Sequence, residues 1–216
     1  MKNRFLLTVI SLLAFAGCVF ATDASNLSAK DALNNLKAGN ERFVKMKLQH
    51  PDESVERRHE MVKGQHPFVA VLSCSDSRVP TEIIFDQGLG DIFVIRNAGN
   101  VLDEHVLGSI EYAVEHLGVN LVVVLGHESC GAVGAAMAHS KETKAIESLK
   151  KAIEPAVELC KKQHKDSYEN IIKTHAILDV QKINEDNDLS EYFKNHSVQV
   201  IPAYYHLDSG VVEFLN

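Results

Sequence analysis

Short runs of consecutive hydrophobic residues mark the predicted strands of this chain. Three such runs lie at residues 68–72, 92–95 and 121–125. Each run is short for a helix and contains no polar residue, which indicates a strand that is covered on both faces. Two further strands are predicted over residues 198–205 and 211–214, because the turn sequence Asp208-Ser-Gly210 separates them.

Stretches with hydrophobic residues at helical spacing surround these strands. The predicted helices cover residues 28–44, 103–116, 131–138, 143–165 and 168–183. Ser28 and Asp31 resemble a capping box at the start of the first helix, and Gly118 follows the second helix where a C-cap is expected. The segment from 50 to 66 is polar and irregular, which predicts a short helix between loops.

Strands and helices therefore alternate along the chain. This order is typical of the α/β class, in which a mainly parallel β-sheet is flanked by helices. The sequence predicts a single domain of this class with an N-terminal helical arm and a C-terminal strand hairpin. Internal repeats, low-complexity tracts and linkers are not found in the sequence.

Composition narrows the possible classes of protein. The chain has 216 residues, of which 45% are hydrophobic and 24% charged, as in an ordinary globular protein. This length suits one domain with a sizeable core, and the composition excludes a disordered chain, a collagen-like repeat and a coiled coil. The 22 basic and 29 acidic residues give a formal net charge of −7, which leaves no broad basic surface for nucleic acid.

The first 21 residues have the pattern of a secretory signal peptide. Lys2 and Arg4 precede an apolar run over residues 5–20, and Ala21 completes a small-residue cleavage pattern. We expect cleavage before Thr22, a domain over residues 22–216, and a periplasmic or secreted product without stable membrane insertion. Two alternatives remain open: lipid attachment at Cys18, which follows a weak lipobox, and a single membrane anchor, for which the run is short.

Cysteine usage argues against a disulfide framework. The four cysteines are scattered at positions 18, 74, 130 and 160, and three of them remain after cleavage at residue 21. An odd number of thiols in an oxidising compartment indicates that something other than a disulfide holds at least some of them.

Potential metal ligands follow two of the predicted strands. Cys74 comes directly after the first strand, and His127 and Cys130 come after the third. Open parallel sheets bind ligands at the carboxyl ends of their strands, so these side chains are expected to converge. Two thiolates and one imidazole form a three-residue zinc site with an open fourth position. Either pattern alone is weak, because a strand-terminal cysteine usually belongs to a core, but together they predict a zinc site.

Asp76 and Arg78 lie beside the first of these ligands. An exposed ion pair in a loop contributes at most about 1 kcal/mol. In the functional alternative, Arg78 keeps Asp76 ionised beside the fourth zinc position, where the carboxylate accepts a hydrogen bond from a zinc-bound hydroxide. If the pair breaks, Asp76 can ligate the zinc and close the site. We favour the functional alternative.

Four blocks of the sequence resemble the signature blocks of the β-class carbonic anhydrases. They are Cys74-Ser-Asp-Ser-Arg-Val-Pro80, Arg96-Asn-Ala-Gly-Asn100, Ser109-Ile-Glu-Tyr-Ala-Val114 and Gly126-His-Glu-Ser-Cys-Gly-Ala-Val133. The match runs from about Gln65 to Val133 with compatible spacing. The resemblance implies a carbonate dehydratase, a lyase that reversibly hydrates CO2 to bicarbonate and a proton by means of zinc-bound hydroxide.

The same resemblance implies roles for individual residues. Zinc is expected to be bound by Cys74, His127 and Cys130, with Asp76 and Arg78 as the catalytic dyad. Four further residues fall at the family's substrate-binding positions: Gln65, Phe93, Tyr112 and Gly131. The family also implies a homodimer or homotetramer with pockets at the subunit interface.

Two other functions are compatible with these residues. A related zinc hydrolase acting on CS2 or carbonyl sulfide would use the same hydroxide chemistry and differ in access or assembly. A non-enzymatic, zinc-stabilised module would need a fourth tight ligand and would have no use for the pair of Asp76 and Arg78, which argues against it.

The remaining histidines and Cys160 are expected to have no part in the chemistry. Six histidines with charged neighbours are expected to be solvated: His105, His116, His139, His164, His175 and His196. His206 is expected to be partly buried beside the final turn, and Cys160 to be a thiol of the core.

Overall fold

The computed structural model describes residues 27–138 and 140–215. The predicted signal peptide at 1–21, with the alternative lipidation site Cys18, lies outside the described residues, and so does His139. Within these residues, no helix combines the length and the apolar character that crossing a membrane requires.

A five-stranded sheet forms the centre of the described chain. Its strands are β1 (Val69–Cys74), β2 (Ile92–Asn97), β3 (Leu121–His127), β4 (Gln199–Tyr205) and β5 (Val212–Phe214). The spatial order is β2-β1-β3-β4-β5, with parallel pairing from β2 to β4 and antiparallel pairing of β5 with β4. The predicted fold class is confirmed, including the C-terminal strand hairpin.

Eight α-helices accompany the sheet in the described ranges. They are α1 (Ala29–Val44), α2 (Val55–Glu60), α3 (Thr81–Ile84), α4 (Glu104–Glu111), α5 (Gly131–Met137), α6 (Lys144–Lys162), α7 (Tyr168–Glu185) and α8 (Asn187–His196). The Ser28 side chain accepts a hydrogen bond from the backbone N–H of Asp31, as the predicted cap requires. The predicted helix at 103–116 changes to a π-helical turn over Tyr112–His116, and Gly118 follows it with a φ of 72°.

Helices cover both faces of the sheet, as the continuous hydrophobic strands predicted. On one face, side chains such as Val71 and Val123 pack against α1 and the α3 segment. On the other face, residues such as Leu72 and Val124 pack against α4, α7 and α8. The strands are therefore buried on two sides, which is the usual state of a parallel sheet.

A third apolar cluster lies at the carboxyl ends of the strands. It contains Cys74 and Cys130 together with residues of α5, α6 and α7, among them Ile153 and Ile172. The sheet register brings the ends of β1 and β3 side by side, because Ser73 pairs with Leu125. The side chains that end these two strands therefore meet within a largely apolar surrounding.

Candidate metal centre

Three potential metal ligands converge where β1 and β3 end. Cys74 is the last residue of β1, His127 is the last residue of β3, and Cys130 caps the start of α5. The chain turns tightly between the last two, with Ser129 in the left-handed region at a φ of 55°. The ligand atoms of the three residues lie within 4.8 Å of one another, and the residues are exposed by 6%, 0% and 1%. The predicted cluster is therefore formed.

The His127 ring is oriented for metal binding. Its Nδ1 atom lies 2.9 Å from the carbonyl oxygen of Glu128, so Nδ1 carries the hydrogen and donates it. This tautomer leaves a lone pair on Nε2, which is buried without a hydrogen-bond partner among the described residues. A buried imidazole nitrogen without a partner is costly unless it binds something. A metal ion beside the two sulfur atoms would satisfy it.

The pKa values of the two thiols, Cys74 and Cys130, are shifted in opposite directions. A hydrogen bond from the Cys130 thiol, together with the N–H of Gly99 at 3.2 Å, lowers the pKa of Cys74 well below its ordinary value. The Cys74 thiolate and burial together raise the pKa of Cys130 well above its ordinary value. A divalent cation would supply the charge that stabilises both residues as thiolates. Two sulfurs and one imidazole are a donor set that fits zinc.

Asp76 and Arg78 form a bidentate pair beside this cluster. Arg78 donates from Nε to Oδ1 at 2.9 Å and from its terminal nitrogen to Oδ2 at 2.7 Å, and its backbone N–H also donates to Oδ1. These hydrogen bonds hold the pKa of the Asp76 carboxyl well below its usual range. Because Arg78 occupies both carboxylate oxygens, Asp76 is held as an anion beside the cluster and is not one of the converging ligands.

Supporting contacts to the cluster come from residues outside the predicted site. Arg96 donates to the carbonyl oxygens of Cys74 and Asp76, and the Tyr168 hydroxyl donates to the carbonyl oxygen of Cys130. Arg96 belongs to one of the four sequence blocks that resemble the family, so the sequence could have indicated its role. Tyr168 begins a helix far along the chain, and the sequence offers no signal for its contact.

The four expected substrate-binding residues do not all reach the cluster within one chain. Gly131 directly follows Cys130, and a Cβ atom there would meet no other atom within 4 Å, so this position faces open space. The Phe93 and Tyr112 rings pack together at 6.0 Å between centroids. However, Phe93 pairs with Ala70, four residues before the end of β1, which places it about 13 Å along the strand from Cys74.

Gln65 lies in the exposed loop before β1. Within the described residues, it makes no hydrogen bond to the cluster.

One of the predicted solvated histidines is buried. His175 is only 2% exposed, and its Nε2 atom lies 3.0 Å from the carbonyl oxygen of Gly99. The prediction was wrong because α7 packs against the sheet on one side and against α6 on another, so little of its surface remains for solvent.

For the other residues of this group that the structure describes, the predicted exposure or burial is confirmed. Four histidines of this group are exposed: His105, His116, His164 and His196. His206 is half-buried. Cys160 is a buried free thiol, as are Cys74 and Cys130.

Comparison with known proteins identifies relatives over most of the chain. The family model described as carbonic anhydrase matches residues 69–212. Carbonic anhydrase 2 of Mycobacterium tuberculosis is 42% identical over 194 residues, which cover 86% of this chain and 92% of the relative.

Solved structures show the same fold. A β-carbonic anhydrase of Aspergillus fumigatus is 27% identical with a TM-score of 0.67, covering 87% of this chain and 90% of that one. One of two tetrameric β-carbonic anhydrases of Sordaria macrospora is 22% identical with a TM-score of 0.68, covering 87% of this chain and 95% of that one. The chain therefore belongs to the β-carbonic anhydrase family of enzymes.

Proposed function

We propose that this protein reversibly hydrates CO2 to bicarbonate and a proton at a zinc ion bound by Cys74, His127 and Cys130. One observation carries the proposal: the three buried ligands converge beside an aspartate that an arginine holds in place. The Nε2 atom of His127 has no other partner among the described residues, and the two thiols need a cation to ionise together. When bound, the zinc acidifies a coordinated water and so supplies the nucleophile.

Asp76 orients the nucleophile as a hydrogen-bond acceptor. Its low pKa keeps it ionised at neutral pH, which makes it a poor proton carrier and a good acceptor. Arg78 fixes the carboxylate through two parallel hydrogen bonds, so one lone pair of Asp76 keeps a constant direction. Arg78 itself is anchored further by a weak contact with the carbonyl oxygen of Ser129 at 3.4 Å.

A second state of the site follows from the same pair. If the two hydrogen bonds from Arg78 break, Asp76 is free to ligate the zinc and to close the fourth position. The bidentate pair of Arg78 and Asp76 supports the open arrangement in this proposal.

Substrate binding involves Gly131, Gln65, Phe93 and Tyr112. Gly131 is the first residue of α5, and we propose that its backbone N–H donates to the substrate as negative charge develops there. CO2 is apolar, so aromatic walls suit it. Because Phe93 and Tyr112 lie away from the cluster of their own chain and Tyr112 is exposed, we propose that a second subunit brings them to the pocket.

Assembly into a homodimer or homotetramer is therefore part of the proposal. The relatives from Sordaria macrospora are described as tetrameric, which supports an oligomer of this kind.

The mature protein is proposed to be periplasmic or secreted. The support is the sequence pattern of residues 1–21, in which a basic start, an apolar run and small residues precede Thr22.

The two alternative functions differ from this one in measurable ways. A hydrolase of CS2 or carbonyl sulfide would need the same zinc and dyad but would hydrate CO2 slowly. A non-enzymatic zinc module would bind zinc without turnover. The bidentate contact of Arg78 with Asp76 favours an enzyme, because a structural site gains nothing from an oriented free carboxylate.

Stopped-flow CO2 hydration with a pH indicator tests the proposal. We expect zinc-loaded protein to hydrate CO2 far above the buffer rate at pH 8.5, and chelated protein to lose that rate and regain it with zinc. Release of hydrogen sulfide from CS2 or carbonyl sulfide, with no CO2 hydration, would support the hydrolase. Zinc binding without either activity would leave only the structural module.

A further inference from the structure

A buried histidine–aspartate pair lies behind the metal centre on α7. His175 and Asp179 are exposed by 2% and 0%, and His175 Nε2 lies 3.3 Å from Asp179 Oδ2. The more exposed Lys182 forms an ion pair with the other oxygen of Asp179, with 3.0 Å between Nζ and Oδ1. A buried charged or polar pair is expensive to keep, so its position needs a reason.

The ring of His175 points at the loop that supports Cys74. Its Nε2 atom lies 3.0 Å from the carbonyl oxygen of Gly99 as well as near Asp179. Both neighbours are acceptors, so Nε2 carries the hydrogen and donates it to the Gly99 oxygen, whereas Asp179 Oδ2 accepts no hydrogen bond among the described residues. The N–H of the same Gly99 donates to Cys74 Sγ at 3.2 Å. One residue thus connects the buried pair with a metal ligand.

The position of Gly99 requires a glycine, which makes its backbone flexible. Its φ of 78° and a close approach to Ala132, where an added Cβ would lie 2.7 Å from the Ala132 Cβ atom, require glycine. Glycine is the residue with the greatest conformational freedom. Without an external contact, rotation about its own φ and ψ would turn the N–H away from the sulfur. The hydrogen bond from His175 fixes the carbonyl side of Gly99 and so restricts that rotation.

We infer that His175 is a positioning residue that keeps the Gly99 N–H directed at the Cys74 sulfur. An N–H group that donates to a thiolate withdraws electron density from it, which sets how strongly the sulfur donates to the metal. His175 touches neither substrate nor metal and acts through Gly99. The inference rests on the proposed function, because it requires a metal at Cys74.

Variants of His175 separate positioning from packing. His175→Asn retains a polar amide but is too short to reach the Gly99 carbonyl oxygen, whereas His175→Gln places an amide N–H near the position of Nε2. Thr174→Val is the matched control on the same helix turn, since the Thr174 hydroxyl contacts only Cys160 among the described side chains. All variants are purified as full chains and loaded with Co2+.

The readouts are the sulfur-to-cobalt charge-transfer band and the metal affinity measured by competition with a chelator. For His175→Asn, we expect the band to shift to lower energy and affinity to fall about 10- to 100-fold, the usual effect of losing an outer contact of a ligand. His175→Gln restores both values, and Thr174→Val keeps them. A folded His175→Asn protein with the wild-type band and affinity would overturn the inference.

The result is distinguishable from failure of the proposed function. If the wild-type protein binds no Co2+, the proposed metal site fails. If it binds Co2+ but the His175 variants match it, only the positioning role fails.

A second measurement needs no variant and covers the case in which His175→Asn does not fold. In 15N-labelled wild-type protein loaded with 113Cd, we expect a scalar coupling between the Gly99 amide proton and the metal, and a slowly exchanging His175 Nε2 proton. A His175 proton that exchanges as fast as those of exposed histidines, or no coupling at Gly99, would contradict the inference.

Discussion

His127 Nε2 lies 3.9 Å from Asp76 Oδ2, so the unpartnered imidazole nitrogen and the anchored carboxylate face one common space. His127 comes from the end of β3, and Asp76 follows the end of β1. The strand register therefore sets the separation between a metal ligand and the group proposed to orient the nucleophile.

Arg78→Ala should leave zinc bound but lower the activity. Asp76 loses both side-chain hydrogen bonds that fix it, and a carboxylate released beside the metal is free to ligate it. We expect kcat/KM to fall about 10- to 100-fold, as for loss of other outer-shell contacts of a metal site. Stopped-flow hydration and zinc analysis of the same sample measure this.

Arg78→Lys is the matched control for the geometry of the pair. Lysine keeps the charge but lacks the planar fork, so it should restore only part of the rate. Full activity in Arg78→Ala would show that Asp76 needs no anchor.

Loss of any one predicted ligand should remove most of the zinc. Cys74→Ser, His127→Ala and Cys130→Ser each leave two of three protein ligands, and removal of a ligand weakens binding strongly because the cluster of described residues has no fourth tight ligand. Cys160→Ser is the control, since this buried thiol contacts Thr174 instead of the cluster. Metal analysis after gel filtration tests the prediction, and stoichiometric zinc in one of the three variants would remove that residue from the ligand set.

The fold and the ligand cluster were predictable because local patterns carry them. Hydrophobic runs predicted the strands, and a strand end followed by Cys74 or by His127 predicted the convergence of ligands. The burial of His175 was not predictable in this way. It depends on how α7 packs between the sheet and α6. Charged neighbours such as Lys173 and Lys182 give this segment the sequence pattern of a solvent-exposed helix.

Two further features could not be predicted from the sequence, because each depends on contacts between distant segments. The Tyr168 hydroxyl reaches the carbonyl oxygen of Cys130 across 38 residues of chain, and no periodicity reports such a contact. The separation of Phe93 from the cluster depends on strand register, which the run of residues 92–95 does not specify.

Gly39→Ala should destabilise the fold. Gly39 is buried in α1, and an added Cβ would overlap the backbone carbonyl oxygen of Phe85, so the helix must move. Overpacking of this kind costs about 1–3 kcal/mol. Gly108→Ala is the control in α4, where a Cβ meets nothing within 4 Å and should stabilise the protein by up to about 1 kcal/mol.

Thermal and urea unfolding of these two variants measure the difference. If Gly39→Ala is as stable as the wild-type protein, this result would contradict the close packing of α1 against the segment after α3.

Export should remove residues 1–21. The proposed signal peptide ends at Ala21, so protein recovered from the envelope fraction is expected to begin at Thr22. Intact mass spectrometry measures this. A mass that retains the first 21 residues would exclude cleavage, and a diacylated Cys18 would support the lipoprotein alternative instead.

Zinc K-edge absorption spectroscopy of the wild-type protein tests the central claim most directly, because it counts the ligands of the metal by element. We predict two sulfur ligands at ~2.3 Å, one imidazole nitrogen at ~2.0–2.1 Å and one further light atom at the open position. Bromide or iodide, added as a small anion, should replace that light atom. A first shell with fewer or more than two sulfurs, or a fourth position that no added anion enters, would contradict a catalytic zinc centre at Cys74, His127 and Cys130.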